Sequence, residues 1–309
     1  VEVKMSISFY VKNKKKFLGY EKILNVEEAL TILDKELNTY NIGNIDINDL
    51  LLSPVSNYQC LLIGEDKVSA RGFELSYDDK NKDYAVRIFT PSSREDWLLA
   101  LEYIKALAKK FGSEIINERG ETFTIDNIDK FDYINDILYG IEVITSNMKS
   151  GKTDNYTIFG IDRVVSFNQE MLDKINNSDS PIDTFSNIVK EIQYLDAYSA
   201  HQQFYKNKAD GKIIGAYTLT QNLRTILPYK PSVEFENSDI VKNEDISLWN
   251  ISLVTINGDE NDPNSYQVAG NLKYDDFIKK LPINKYKFID ASYIMVEPLS
   301  KEEILDLLK

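Results

Sequence analysis

The stretch that decides the fold runs from residue 68 to residue 112, VSARGFELSYDDKNKDYAVRIFTPSSREDWLLALEYIKALAKKFG. Two extended runs, 68–77 and 84–89, flank Asp78-Asp79-Lys80-Asn81-Lys82-Asp83, whose short polar side chains satisfy turn backbone locally. The pattern predicts a β-hairpin. Thr90-Pro91 closes its second strand. Ser92-Ser93-Arg94-Glu95 then supplies a capping box, in which a serine oxygen and the Glu95 carboxylate satisfy amide groups of a first helical turn. Trp97, Leu101, Ile104, Ala108 and Phe111 recur at three- or four-residue steps as one apolar stripe, and Gly112 suits the left-handed position after a helix. An antiparallel hairpin followed by a helix that covers it is the unit of an α+β fold.

The same two periodicities extend outward. Met5, Ile7, Phe9 and Val11 alternate as a half-buried strand, and Asn25 with Glu28 caps a predicted helix carrying Ala29, Leu30, Leu33 and Leu37. Residues 38–58 read as a loop with one turn at 47–51, followed by a buried strand at 59–63. A helix over 133–147 carries Ile134, Ile137, Leu138, Ile141 and Ile144, with Gly140 weakening it by about 1 kcal/mol relative to Ala. The polar, aperiodic run 149–155 marks a boundary. Beyond it, the sequence predicts a strand at 156–165, a short helix after Asn168, and a helix entered by Ser180-Pro181. A hairpin of 198–205 and 212–220 around Ala209-Asp210-Gly211 follows, then a strand pair at 247–256 and 266–270 joined by an acidic loop. A helix at 274–281, a strand at 286–296 and a last helix capped by Ser300 and Glu303 complete the chain.

The expected architecture is therefore α+β, with two similarly sized halves, 5–150 and 151–309, each a mainly antiparallel sheet with helices on one face, packed together. Tyr84-Ala85-Val86 ahead of Arg94-Glu95-Asp96-Trp97 is echoed by Tyr266-Gln267-Val268 ahead of Tyr274-Asp275-Asp276-Phe277, which makes internal duplication a candidate origin of the halves.

Composition narrows the function. The 309 residues are 43% hydrophobic and 28% charged, the balance of an ordinary globular protein. A formal charge of −13 opposes general affinity for nucleic acid or anionic lipid, so neither is an expected partner. One cysteine, Cys60, and one histidine, His201, are too few for any His/Cys zinc site, and no cofactor signature occurs. A single cysteine suits a reducing compartment, and the lack of a leader or spanning segment completes the expectation of a cytoplasmic protein. Val1 is not a start methionine, and residues 1–4 read either as a non-native remnant or as an upstream extension ahead of Met5.

Several motifs have weaker alternatives beside them. Ser150-Gly151-Lys152-Thr153 resembles the end of a phosphate-binding P-loop, but Ser146 stands where its first glycine belongs and a strand follows where a helix is required. Asp126, Asp129, Asp132 and Asp136 lack the spacing of a calcium loop, as do Asn257, Asp259, Asn261 and Asp262. His201 next to Ser199 does not make a catalytic pair. Three of the six arginines, Arg71, Arg87 and Arg94, fall within 24 residues together with Ser92 and Ser93. With Arg94 at a helix N-terminus, these five residues are the candidate anion-binding site.

The segments Ser69-Ala70-Arg71-Gly72-Phe73-Glu74-Leu75-Ser76-Tyr77 and Thr90-Pro91-Ser92-Ser93-Arg94-Glu95-Asp96-Trp97, with Met5-Ser6-Ile7-Ser8-Phe9 and Phe159-Gly160-Ile161, resemble an uncharacterised bacterial family of low-GC Gram-positive species, domain of unknown function 4299. The resemblance extends over essentially the whole chain from Met5 and implies no activity, cofactor or site residue. The leading expectation is a non-enzymatic binding or interaction protein with a protein partner, in one form an immunity-type protein that neutralises a basic toxin. Its motivation is the acidic balance and the 19 tyrosines and 14 phenylalanines. The alternative is an enzyme acting on a small anionic substrate at Arg71, Arg87 and Arg94, with Glu74 or Asp96 as acid or base. The sequence leaves oligomeric state open.

Overall fold

The computed structural model describes residues 5–43, 45–151, 154–208 and 210–309. It divides into two compact units, Val1–Tyr194 and Leu195–Lys309. The break falls after Tyr194, so the boundary expected at 150/151 lies inside the first unit. The reason is packing: the segment expected to open the second half returns its helices onto the two long helices of the first.

In the first unit the elements are β1 (Ser6–Lys12), α1 (Val26–Leu30), β2 (Leu37–Thr39), α2 (Ile47–Leu52), β3 (Leu61–Glu65), β4 (Phe73–Asp78), β5 (Asp83–Phe89), α3 (Arg94–Phe111), β6 (Ile115–Asn117), β7 (Thr122–Phe123), α4 (Tyr133–Lys149), β8 (Tyr156–Phe159), β9 (Val164–Phe167), α5 (Gln169–Asn176) and α6 (Pro181–Gln193). Seven strands form one antiparallel sheet in the order β2-β3-β4-β5-β1-β6-β7. Ile7, Phe9 and Val11 alternate inward from β1 and are fully buried with Val86, Ile88 and Trp97. Phe9 meets Trp97 edge to face at 6.4 Å between ring centroids, so β1 and the stripe of α3 share one core.

The predicted hairpin and helix form, with two differences. β4 begins at Phe73 rather than at residue 68, because the backbone of Ala70, Arg71 and Gly72 turns away from the sheet, Gly72 at φ +64°. The N-cap of α3 is Ser93, which makes Asp96, not Glu95, the third helical residue. The Ser93 hydroxyl accepts from the Asp96 N–H and donates to its carboxylate. Elsewhere, the capping box at Asn25 and Glu28 is present, but α1 stops after Leu30 and Leu37 joins the sheet edge. Gly140 has a packing reason that helix propensity hides: a Cβ there would lie 2.4 Å from the Pro91 nitrogen. The run 156–165 is a hairpin rather than one strand, since Gly160 N–H donates to Arg163 C=O and the Gln193 carboxamide accepts from the N–H groups of Asp162 and Arg163.

The second unit comprises β10 (Tyr198–Ser199), β11 (Gln203–Lys206), β12 (Ile213–Thr220), β13 (Thr225–Pro228), β14 (Ile246–Ile256), β15 (Tyr266–Lys273), α7 (Tyr274–Lys280), β16 (Tyr286–Phe288), β17 (Tyr293–Val296) and α8 (Lys301–Leu307). Its strands form two four-stranded sheets, β10-β13-β17-β16 and β11-β12-β14-β15, antiparallel except for the pairs β10·β13 and β12·β14. Tyr217, Leu219, Ile251, Leu253, Ile294 and Val296 pack with Tyr274 and Phe277 of α7 and Ile304 and Leu307 of α8 in one core. Mostly antiparallel sheets with helices give the chain its α+β class.

Two further predicted strands are split. The run 198–205 breaks at Gln202, whose carboxamide serves the loop described below, and the run 286–296 breaks where the Asp290 carboxylate accepts from the N–H groups of Ser292 and Tyr293. The two hairpin-to-helix pieces compared in the sequence are β4-β5-α3 and β14-β15-α7; they belong to sheets of different strand number and order.

Candidate functional site

The five predicted anion-site residues are built around an internal carboxylate. Asp96 is fully buried. One of its oxygens accepts from the N–H groups of Ala70, at 3.1 Å, and Gly72, at 2.9 Å. The other accepts from Arg71 N–H at 2.8 Å, from the Ser93 hydroxyl at 2.8 Å and from the Ser92 hydroxyl at 3.3 Å. Three successive N–H groups thus form an anion-holding nest, which is why the chain leaves the sheet before Phe73. Burial pushes the Asp96 carboxyl up from its ordinary value, while the donors pull it back.

Arg71 is buried beside this carboxylate. Its guanidinium donates to the carbonyls of Phe159 and Pro91 and lies 4.7 Å from the Phe89 ring centroid, and burial lowers its pKa to about 10. Arg87 lies 5.4 Å from the same ring, but its donors are spent elsewhere: it faces Glu74 in cross-strand register, donates to that carboxylate at 2.6 Å and to the Ser6 hydroxyl at 3.0 Å. Arg94 donates to Asp183 at 3.0 Å, and its N–H donates to the Ser186 hydroxyl. The structure therefore joins Arg71, Ser92 and Ser93 through Asp96, brings Arg87 beside Arg71 across Phe89 but pairs it with Glu74, and pairs Arg94 with Asp183.

The remaining sequence candidates are placed as follows. Asp132 caps α4, Asp129 pairs with Lys105, and Asp136 is buried, accepting from the Thr90 hydroxyl at 2.9 Å with burial raising its pKa to about 6. Asp259 and Asp262 each hold the backbone two residues on, as hairpin-loop turns do. Among the described residues no three His, Cys, Asp or Glu side chains converge as a metal site. His201 is exposed and touches Tyr198 edge to face. Burial, and then the nearby Glu74 carboxylate, raise the Cys60 thiol pKa. Lys152 and Thr153 of the P-loop-like run, Ala209 of the expected turn and residues 1–4 lie outside the described residues. Among the described residues no helix is long and apolar enough to cross a membrane.

The sequence family described as a domain of unknown function (DUF4299) matches residues 6–307. The chain belongs to the DUF4299 family. No curated protein and no solved structure matches it.

Sequence reasoning missed the surface features of this DUF4299 chain. The connection from β13 to β14 spans 229–245, and its part 233–245 carries Glu234, Glu236, Asp239, Glu244 and Asp245 against Lys242, with Lys230 just ahead of it. Phe235 and Ile240 project from this loop, 75% and 80% exposed. The loop is closed at its base, where Val233 N–H donates to the Asn243 side chain at 2.7 Å. Gln202 holds its middle: the carboxamide oxygen accepts from Glu234 N–H and from the Asn237 amide, and the nitrogen donates to the Tyr217 hydroxyl and the Ser232 carbonyl. Burial raises the Glu234 pKa, with the Tyr217 hydroxyl opposing it. An apolar pair inside an acidic run was the available signal.

Two clefts among the described residues have the size of small-molecule sites. One, of about 410 Å³, lies in the first unit along α4 and is lined by residues that include Glu142, Thr145, Lys149 and Asp173. The other, of about 390 Å³, lies in the second unit at the end of β12.

Proposed function

We propose that this DUF4299 protein is a non-enzymatic, cytosolic interaction protein that receives a basic protein partner on the loop 233–245. The observation that carries this reading is a preformed acidic loop with two apolar side chains held out at its surface. Gln202 and Asn243 fix the backbone, so little ordering entropy opposes binding, and Phe235 and Ile240 are placed to enter a partner's pockets. The surrounding carboxylates and the net charge of −13 favour and steer a basic surface. An immunity-type role, masking a basic toxin, fits this chemistry.

The enzyme alternative requires Asp96 or Glu74 to work on an anion beside the three arginines. The fully buried carboxylate of Asp96, satisfied by five donors, and the pairing of Arg87 and Arg94 with acids favour reading that cluster as structural. The test is affinity capture with the full chain and with a Phe235→Ser/Ile240→Ser variant at low and high salt. The reading expects a basic protein retained by the wild type and lost both in the variant and in salt. Identical retention by the two chains overturns it.

A further inference from the structure

We propose that the cleft at the end of β12 binds a neutral polyhydroxylated ligand, a sugar or short oligosaccharide. This proposal is independent of the loop 233–245, none of whose residues lines the cleft. The floor follows from strand alternation. Tyr217 and Leu219 point into the core, so Thr218 and Thr220 occupy the opposite face of β12 and line the cleft with Gln203 of β11. Tyr198 and Tyr266 supply aromatic walls, and Leu223 and Ile256 an apolar patch.

The residues between β12 and β13 are held rigidly. Asn222 has a left-handed backbone, φ +59°, and its N–H donates to Leu299 C=O at 2.9 Å. The Gln221 side chain accepts from Ile256 N–H at 2.9 Å, and the Tyr266 hydroxyl donates to the Glu260 carbonyl at 2.8 Å. Asn is the non-glycine residue that most readily takes this conformation, which suits the turn between the two strands.

Meanwhile, the Thr218 and Thr220 hydroxyls, the Asn222 side-chain amide and the Glu260 carboxylate make no hydrogen bond to any described residue. Hydroxyls and amides both donate and accept, as the hydroxyls of a sugar do, and the apolar C–H face of a sugar ring packs on an aromatic face. No Lys, Arg or His is among the described lining residues, so a phosphorylated or carboxylated ligand would meet Glu260 without a counter-charge. A volume of about 390 Å³ falls within the range of small-molecule clefts.

The experiment is saturation-transfer NMR on the full chain with maltose, cellobiose, lactose and chitobiose in turn at millimolar concentration, and with glucose 6-phosphate as the anionic comparator. Two variants are carried in parallel, Tyr266→Ala, at a half-exposed ring, and the isosteric pair Thr218→Val/Thr220→Val, each checked for wild-type circular dichroism. The expected result is transfer to at least one neutral disaccharide, with binding weakened about fivefold or more in either variant. Transfer to none of the four, transfer unchanged in both variants, or tighter binding of glucose 6-phosphate overturns the proposal.

Discussion

Replacing Asp96 by Asn tests whether the arginine-serine cluster is held together from within. The two side chains have the same shape, so the change is one of hydrogen-bond polarity. If the new NH2 group takes the position that faces Ala70 and Gly72, two buried N–H groups lose their acceptor; if it takes the other, Arg71 N–H does, while the two serine hydroxyls can rotate to accept. The better rotamer thus leaves one orphaned backbone donor, at about 1–3 kcal/mol. It also removes the carboxylate whose charge most favours the buried Arg71 guanidinium, which brings the total to about 3–5 kcal/mol. For a unit of this size that is a fall of about 6–20 °C in melting temperature. Trp97 lies in the same core, so urea unfolding read by its fluorescence in a Trp249→Phe background reports the first unit alone. Asp183→Asn, at the exposed partner of Arg94, is the control and should change stability by less than about 1 kcal/mol. An Asp96→Asn chain as stable as that control would refute the reasoning.

Three other outcomes follow from particular contacts. The Asp136 pKa is raised to about 6 by burial, so the native state holds this proton more tightly than the unfolded chain. Its contribution is complete below about pH 4 and is lost as the pH rises through about 6; Asp136→Asn should match the wild type at pH 4 and exceed it by up to about 3 kcal/mol at pH 8, measured by urea unfolding. Gly140→Ala should destabilise by about 1–3 kcal/mol in thermal melts despite the better helix former, because the new methyl group meets Pro91. Cys60 should react with a soluble disulfide reagent more slowly than a free thiol at neutral pH, since burial and Glu74 hold it protonated.

Much of the fold was legible because local signals and burial agree over residues 73–112, along α4 and at Ser180-Pro181. The misses occurred where a side chain from a distant part of the chain captures backbone. Asp96 draws residues 70–72 out of the predicted strand, Gln193 turns 160–163 into a hairpin, and Gln202 interrupts 198–205. None of these captures has a periodicity. The candidate site was legible as a constellation but not as a function. The count of arginines and serines was sound, yet nothing in the spacing shows that the third helical residue turns inward and supplies the anion. Conversely, the acidic run around Phe235 and Ile240 was the one sequence signal for them, and the loop closed by Asn243 and held by Gln202 shows that both face water.

The most direct test of the interaction reading is site-specific photocrosslinking in cells that produce the protein, with a benzophenone amino acid placed at position 235, at 240, or at Phe17, an equally apolar tip that is 102% exposed. The account predicts one basic protein crosslinked from 235 and 240 and absent from 17. No crosslink from the loop, or the same species from all three positions, would contradict it.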